Sequence, residues 1–151
     1  MRPQRLQSSA AESSLPSRRL LVPNEMAALE PARLAARDFV AGQGLSERLV
    51  FELELVLEEA LMNRLWHAFP DGGRHVTEVT LQLLPEALVL QFEDDGVPFD
   101  PRQAAEPVPA ESLEGARPGG LGLLLTRKTA LGLHYERVDS RNRLTVQLAR
   151  G

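Results

Sequence analysis

The sequence predicts an α/β sandwich of the α+β kind, with one mixed, mostly antiparallel sheet and helices packed on one of its faces. Three observations lead there. Apolar residues alternate with polar ones in two adjacent runs, Val79, Leu81 and Leu83, then Leu88, Leu90 and Phe92, which is the period of a half-buried strand. Leu49, Leu53, Val56, Leu57, Ala60 and Leu61 recur at helical spacing and mark one buried helix face. Turn residues separate these segments, so the elements follow in the order β-α-α-β-β-loop-α-β-β.

The elements read as follows. Residues 1–17 are rich in Ser and Ala, with Pro3 and Pro16, and are expected to form a disordered tail. A domain covers residues 18–151. Arg19–Val22 is a short strand ended by Pro23. Asn24 is placed to cap a helix over 25–41, whose apolar side holds Leu29, Leu34, Ala36, Phe39 and Val40. Pro31 implies a late start or a bend, and Gly42 and Gly44 end it. Ser46 is a good N-cap for a second helix running to about Phe69, stopped by Pro70-Asp71-Gly72-Gly73. The two alternating strands form a hairpin across Pro85-Glu86. Residues 94–120 contain Pro98, Pro101, Pro107, Pro109 and Pro118 and read as a long loop, a feature that usually carries function. A short helix is expected over 121–131, stopped by Gly132. Strands over 133–138 and 144–148 close the domain, joined by Asp139-Ser140-Arg141-Asn142.

Composition bounds the function. A chain of 151 residues that is 43% hydrophobic and 25% charged is an ordinary globular domain with a real core. The net charge of −4 comes with scattered basic residues, which argues against nucleic-acid binding. Cysteine is absent, so there is no disulfide framework and no thiolate metal site. No apolar run is long enough to span a membrane, and no secretory signal is visible. The expected location is cytoplasmic.

Candidate chemistry lies in three segments. On a helix turning 100° per residue, Asn63 falls about 40° and His67 about 80° from Glu59. These polar residues border the buried stripe, whereas Glu58 lies about 140° from Asn63 and cannot share its site. Asp94-Asp95-Gly96 ends a strand, where a carboxylate can accept from an exocyclic amine and glycine permits close approach. Gly119-Gly120-Leu121-Gly122 precedes a helix, whose free N–H groups favour a phosphate. It is not a P-loop, because Leu121 stands where lysine is required. Each segment alone has a plainer explanation: a satisfied buried amide with a solvated glutamate, an ordinary Asp-Gly turn, and a glycine-rich helix start. For His67, a hydrogen bond to the following turn suffices.

Together the three segments resemble the Bergerat-fold (GHKL) ATP-binding domain, and within it the anti-sigma factor serine-protein kinase family of bacteria. Glu59-Ala60-Leu61-Met62-Asn63 with His67-Ala68-Phe69 resembles the family's N box. Asp94-Asp95-Gly96-Val97-Pro98-Phe99-Asp100-Pro101 is similar to the G1 box, and Gly119-Gly120-Leu121-Gly122-Leu123 to the G2 box. Tyr135-Glu136-Arg137 and Asn142-Arg143-Leu144-Thr145 resemble its last hairpin. The likeness runs from about Arg18 to Arg150.

The resemblance implies ATP and Mg²⁺ as cofactors. It implies that Asn63 binds Mg²⁺ and that Glu59 orients or deprotonates the attacking serine hydroxyl. Asp94 holds the adenine amine, Gly96 admits the ring, and Gly120, Leu121 and Gly122 line the phosphates. A lid spans about 102–118. The implied partners are a sigma factor and an anti-anti-sigma protein of the STAS type, whose serine is phosphorylated, and family members commonly form homodimers. The alternative is an ATP-binding partner-switching module without kinase activity. A sensor histidine kinase fits less well, since no dimerisation helix with a phospho-accepting histidine is present. Two residues depart from the family pattern next to Asn63: Met62, and Arg64, which has to find solvent or a partner.

Overall fold

A computed structural model of the protein describes residues 15–100 and 130–150. Its elements are β1 (Ser17–Pro23), a 3₁₀ turn (Met26–Ala28), α1 (Leu29–Val40), α2 (Glu47–Asn63) and a π turn (Arg64–Ala68). The strands β2 (Val76–Leu83), β3 (Ala87–Asp94), β4 (Ala130–Val138) and β5 (Arg141–Ala149) follow. The five strands form one sheet in the order β1-β2-β3-β5-β4. The sandwich expected from sequence is therefore present. All four strand pairings are antiparallel, so the sheet is not mixed among the described residues.

Strand alternation explains why the helices cover a single face. Leu20 and Val22 of β1, Val79 and Leu81 of β2, Leu88, Leu90 and Phe92 of β3, and Leu144, Val146 and Leu148 of β5 are all buried. Their neighbours point the other way and are polar or partly exposed, as a period of two requires. The inward face packs on Ala32, Ala36 and Val40 of α1 and on Leu49, Leu53, Val56, Leu57 and Ala60 of α2. The stripe read on the second helix is thus the core of the domain.

Helix α2 starts as expected. The Ser46 hydroxyl oxygen accepts the Leu49 N–H at 3.1 Å, satisfying one of the free donors of the first turn. Its end differs. The regular helix stops at Asn63 and widens into the π turn before Phe69. Such one-turn expansions are frequent at functional sites, and this one shifts the phase of every residue after Asn63.

Several boundaries move. Ser17 already belongs to β1, so the strand begins inside the expected tail. Asn24 caps no helix. Its side chain instead accepts the His75 N–H at 3.1 Å and donates to the Gly73 carbonyl at 3.0 Å, tying the end of β1 to the start of β2. Helix α1 begins at Leu29 and places Pro31 in its first turn, where a missing N–H costs nothing. Leu34 is exposed rather than on the apolar side. Arg141 and Asn142 are strand residues, because the β4–β5 turn needs only Asp139 and Ser140, both at positive φ (52° and 65°) as in a tight two-residue hairpin.

The expected helix over 121–131 lies outside the described residues except at its end. There Ala130 and Leu131 are in β4, and Gly132 stands beside a register shift rather than at a helix stop. None of the described helices is long and apolar enough to cross a membrane.

Candidate functional site

One end of the buried sheet face turns from apolar to polar. Asp94, at the end of β3, and Asn142, opposite it on β5, are both buried. The C-terminal end of α2 and the start of the π turn lie over them and contribute Asn63 and Arg64, both also buried. The sequence reaches this arrangement simply. Asp94 and Asn142 occupy inward positions of their strands, two residues beyond Phe92 and two before Leu144. Asn63 lies three and seven residues past Ala60 and Val56 on the buried face of the helix.

Arg64 makes an ion contact with Asp94, with Nε 2.9 Å from Oδ2. Its Nη1 donates to the Ala60 carbonyl at 3.2 Å, and the guanidinium lies over the Phe92 ring, 5.4 Å from its centre. This is the partner that the sequence reading required for Arg64. Burial pushes the Arg64 guanidinium below its ordinary pKa, and the Asp94 charge opposes that push. The Nε–H is not aimed in line with Oδ2, which accepts no aligned hydrogen bond from the described residues.

Asp94 Oδ1 is fully engaged. It accepts the Gly96 N–H and the Asn142 Nδ2–H, each at 2.9 Å. Asn142 is a hub that the sequence reading did not identify. Its Nδ2 also donates to the Val97 carbonyl at 2.8 Å, and its Oδ1 accepts the Phe99 N–H at 3.2 Å and Arg137 Nη1 at 3.0 Å, together with the Tyr135 hydroxyl. Arg137 Nη1 donates to the Gly96 carbonyl at 2.9 Å as well. One buried amide therefore fixes the carboxylate and the segment 96–99 against the last hairpin. A sequence signal existed: an asparagine on the inward side of a strand that continues Leu144, Val146, Leu148.

Gly96 has a steric reason to be glycine. A Cβ there would lie 2.3 Å from the Ala68 carbonyl oxygen and 2.8 Å from the Ala68 Cβ. The Val97 N–H donates to that same carbonyl at 2.9 Å. The absent side chain thus lets the G1 segment close on the π turn, which is a close approach between two parts of the chain itself. We expect Gly96→Ala to lose about 1–3 kcal/mol of stability, measured by urea denaturation, because backbone must move to admit the methyl group.

Glu59 is half-buried, one turn before Asn63 on α2, while Glu58 is exposed. This matches the helical phase used to separate them. Asn63 Nδ2 is a buried donor without an acceptor among the described residues. His67 is exposed and stacks on Phe99, 5.1 Å between ring centres, instead of bonding the next turn. The widened π turn carries it off the helical phase. Gly120, Leu121 and Gly122 lie outside the described residues, as does the lid over about 102–118.

Beside the site, His75 is held between two carboxylates. Its Nδ1 lies 2.9 Å from Asp95 Oδ1 and its Nε2 lies 3.0 Å from Asp71 Oδ1, and the ring stacks on Phe69. Hydrogen bonds to Asp95 and then Asp71 hold the His75 pKa above its ordinary 6.5. Asp71 is held below its ordinary value, first by the Gly73 N–H and then by His75. The fold therefore favours the protonated imidazole. Its stabilising effect is complete below pH 6.5 and is lost as pH rises through the elevated value. We expect the melting temperature of the protein to step down with rising pH above 6.5. The step should be absent in His75→Gln, as read by differential scanning fluorimetry from about pH 5.5 to about pH 9, which covers the upper part of the imidazole range and about one unit above it.

Comparisons with known proteins agree with this architecture. Residues 22–148 match the family model of the histidine kinase-like ATPase domain. The chain is 42% identical over 101 residues to the serine/threonine-protein kinase BtrW of Bordetella bronchiseptica, covering 67% of this chain and 71% of that one. A chain of the SiaB–SiaC complex from Pseudomonas aeruginosa shares the fold with a TM-score of 0.58, over 95% of this chain and 96% of that one, at 16% identity. The chain belongs to the histidine kinase-like ATPase domain family, and within it stands with the serine/threonine-protein kinases that its N-box and G1 segments resemble.

Proposed function

We propose that this chain is an ATP-dependent anti-sigma factor kinase that transfers phosphate to a serine of a STAS-type antagonist and otherwise holds a sigma factor. The observation that carries this reading is the seating of the Glu59–Asn63 turn over Asp94 through the Arg64 ion contact. It sets a helix turn carrying a carboxylate and a carboxamide beside a second carboxylate thirty positions beyond Arg64 in sequence. The likeness to BtrW supports kinase chemistry.

The residues present fit a nucleotide. Buried donors on the consecutive residues Asn63 and Arg64 have no aligned acceptor among the described residues, and a ligand rich in acceptors would satisfy them. Asn63 would hold Mg²⁺ through its amide oxygen. When bound, the ion neutralises phosphate charge, as in other phosphoryl-transfer sites. Glu59 orients the serine hydroxyl and takes its proton. Asp94 accepts from the exocyclic amine of adenine, and Asn142 keeps that carboxylate in place. Gly96 keeps the segment that carries it close to the π turn. As the family resemblance implies, backbone N–H groups of Gly120, Leu121 and Gly122 would receive the phosphates. Phosphate on the antagonist adds charge at its interface and weakens its hold on the kinase. Such a role places the protein in the cytoplasm.

The test is to incubate the full chain with Mg-ATP and each STAS-domain protein of its source cell, and to map phosphate by mass spectrometry. One of these proteins should gain phosphoserine with wild-type protein and not with Asn63→Ala. Absence of transfer to every one of them contradicts the proposal.

A further inference from the structure

We infer that Arg64 is a base-specificity residue, whose Nη2 donates to the ring nitrogen flanking the exocyclic amine that Asp94 accepts. The inference rests on the reading of Asp94 as the adenine carboxylate and adds a second, unassigned contact to it.

Three observations carry it. Arg64 is only 2% exposed, and its Nη2 meets no acceptor among the described residues. Asp94 Oδ2 likewise accepts no aligned hydrogen bond, although Oδ1 already accepts two. The Arg64 Nε lies 2.9 Å from that same Oδ2. In a planar guanidinium, Nε–H and one Nη2–H share an edge of the fork. The unspent donor therefore lies on the Asp94 side, beside the unspent acceptor.

The site thus offers one acceptor and one donor, side by side and out of water. Adenine presents the complement: an N6–H donor next to a ring-nitrogen acceptor, N7 on one edge and N1 on the other. A 6-oxo purine would turn its O6 toward the Asp94 carboxylate, two acceptors facing each other. Asn142 and Gly96 hold Asp94 still, and Ala60 holds Nη1, so neither group can turn away to relieve that mismatch.

A purely structural role would be to neutralise Asp94, and lysine at 64 separates the two roles. Lysine keeps a positive charge near the carboxylate and lacks the fork. The experiment measures, by calorimetry with magnesium present, the affinities of ATP, ITP, 1-deaza-ATP and 7-deaza-ATP for wild type, Arg64→Lys and Arg64→Met. Wild type should bind ATP roughly tenfold or more better than ITP, and should lose roughly tenfold on one of the two deaza analogues, which identifies the ring nitrogen read. Arg64→Lys should still prefer ATP to ITP but bind ATP and that deaza analogue equally, and Arg64→Met should also bind these two equally. If Arg64→Met does not fold by circular dichroism, the lysine variant decides alone. Equal binding of ATP and both deaza analogues by wild type, or unchanged deaza discrimination in Arg64→Lys, overturns the inference. Equal binding of ATP and ITP by wild type instead overturns the Asp94 reading on which it rests.

Discussion

Glu59→Gln should leave Mg-ATP binding close to that of wild type and slow phosphate transfer by roughly 10²–10⁴-fold, the usual contribution of a positioned general base. Glutamine preserves the shape and reach of the side chain, so the helix and the buried stripe beneath it are undisturbed. It cannot accept the serine proton. Glu59 lies half-buried one turn before Asn63, the residue proposed to hold the metal. A steady-state assay on the phosphorylated antagonist, run beside a nucleotide titration, reads both effects. Glu58→Gln is the control and should change neither, since Glu58 is exposed on another face. Transfer at the wild-type rate by Glu59→Gln would remove the base and favour a module in which nucleotide binding alone is the function.

Asp94→Ala should be among the most destabilising single changes in the protein. Asp94 is wholly buried, and its removal leaves the equally buried Arg64 without a countercharge. Breaking a buried pair from one side costs about 3–5 kcal/mol. For a chain of 151 residues that corresponds to a fall in melting temperature of roughly 6–20 °C. The Gly96 N–H and the Asn142 amide lose their shared acceptor as well. The cost should not be additive with loss of the arginine. Arg64→Met combined with Asp94→Ala removes both charges and should recover part of the stability, as a double-mutant cycle by urea denaturation would show. An Asp94→Ala protein within about 1 kcal/mol of wild type, less than the low end expected for a broken buried pair, would mean that the pair carries little.

Much of the site was legible because helices and strands have fixed periods. The four-residue spacing of Glu59 and Asn63 places them together on any helix, and the apolar stripe beside them gave the phase that excluded Glu58. The alternation through Leu88, Leu90 and Phe92 led to a strand end at Asp94, where it is observed, and the same period accounts for its burial. Other features escaped because they depend on contacts between distant residues. Arg64 meets Asp94 across thirty positions, and Asn142 meets it across forty-eight. Strand alternation marks Asn142 as inward but names no partner for it, and Arg64 was recognised only as a residue needing company. Asn24 looked like a helix cap because caps and loop anchors use the same side chain, and its actual partners lie about fifty residues away. The π turn after Asn63 brings Ala68 against Gly96, a contact between distant residues, and helical propensity alone continues the regular helix through it. Gly96 itself was legible as a necessary glycine, although its neighbour proved to be the protein's own backbone.

Isothermal titration of Mg-ATP into the full chain decides whether this end of the sheet is a nucleotide site at all. Saturable heat with one site per chain is expected, abolished by Asn63→Ala and strongly reduced when magnesium is chelated. A folded wild-type protein that gives no heat with adenine nucleotides and magnesium would contradict it.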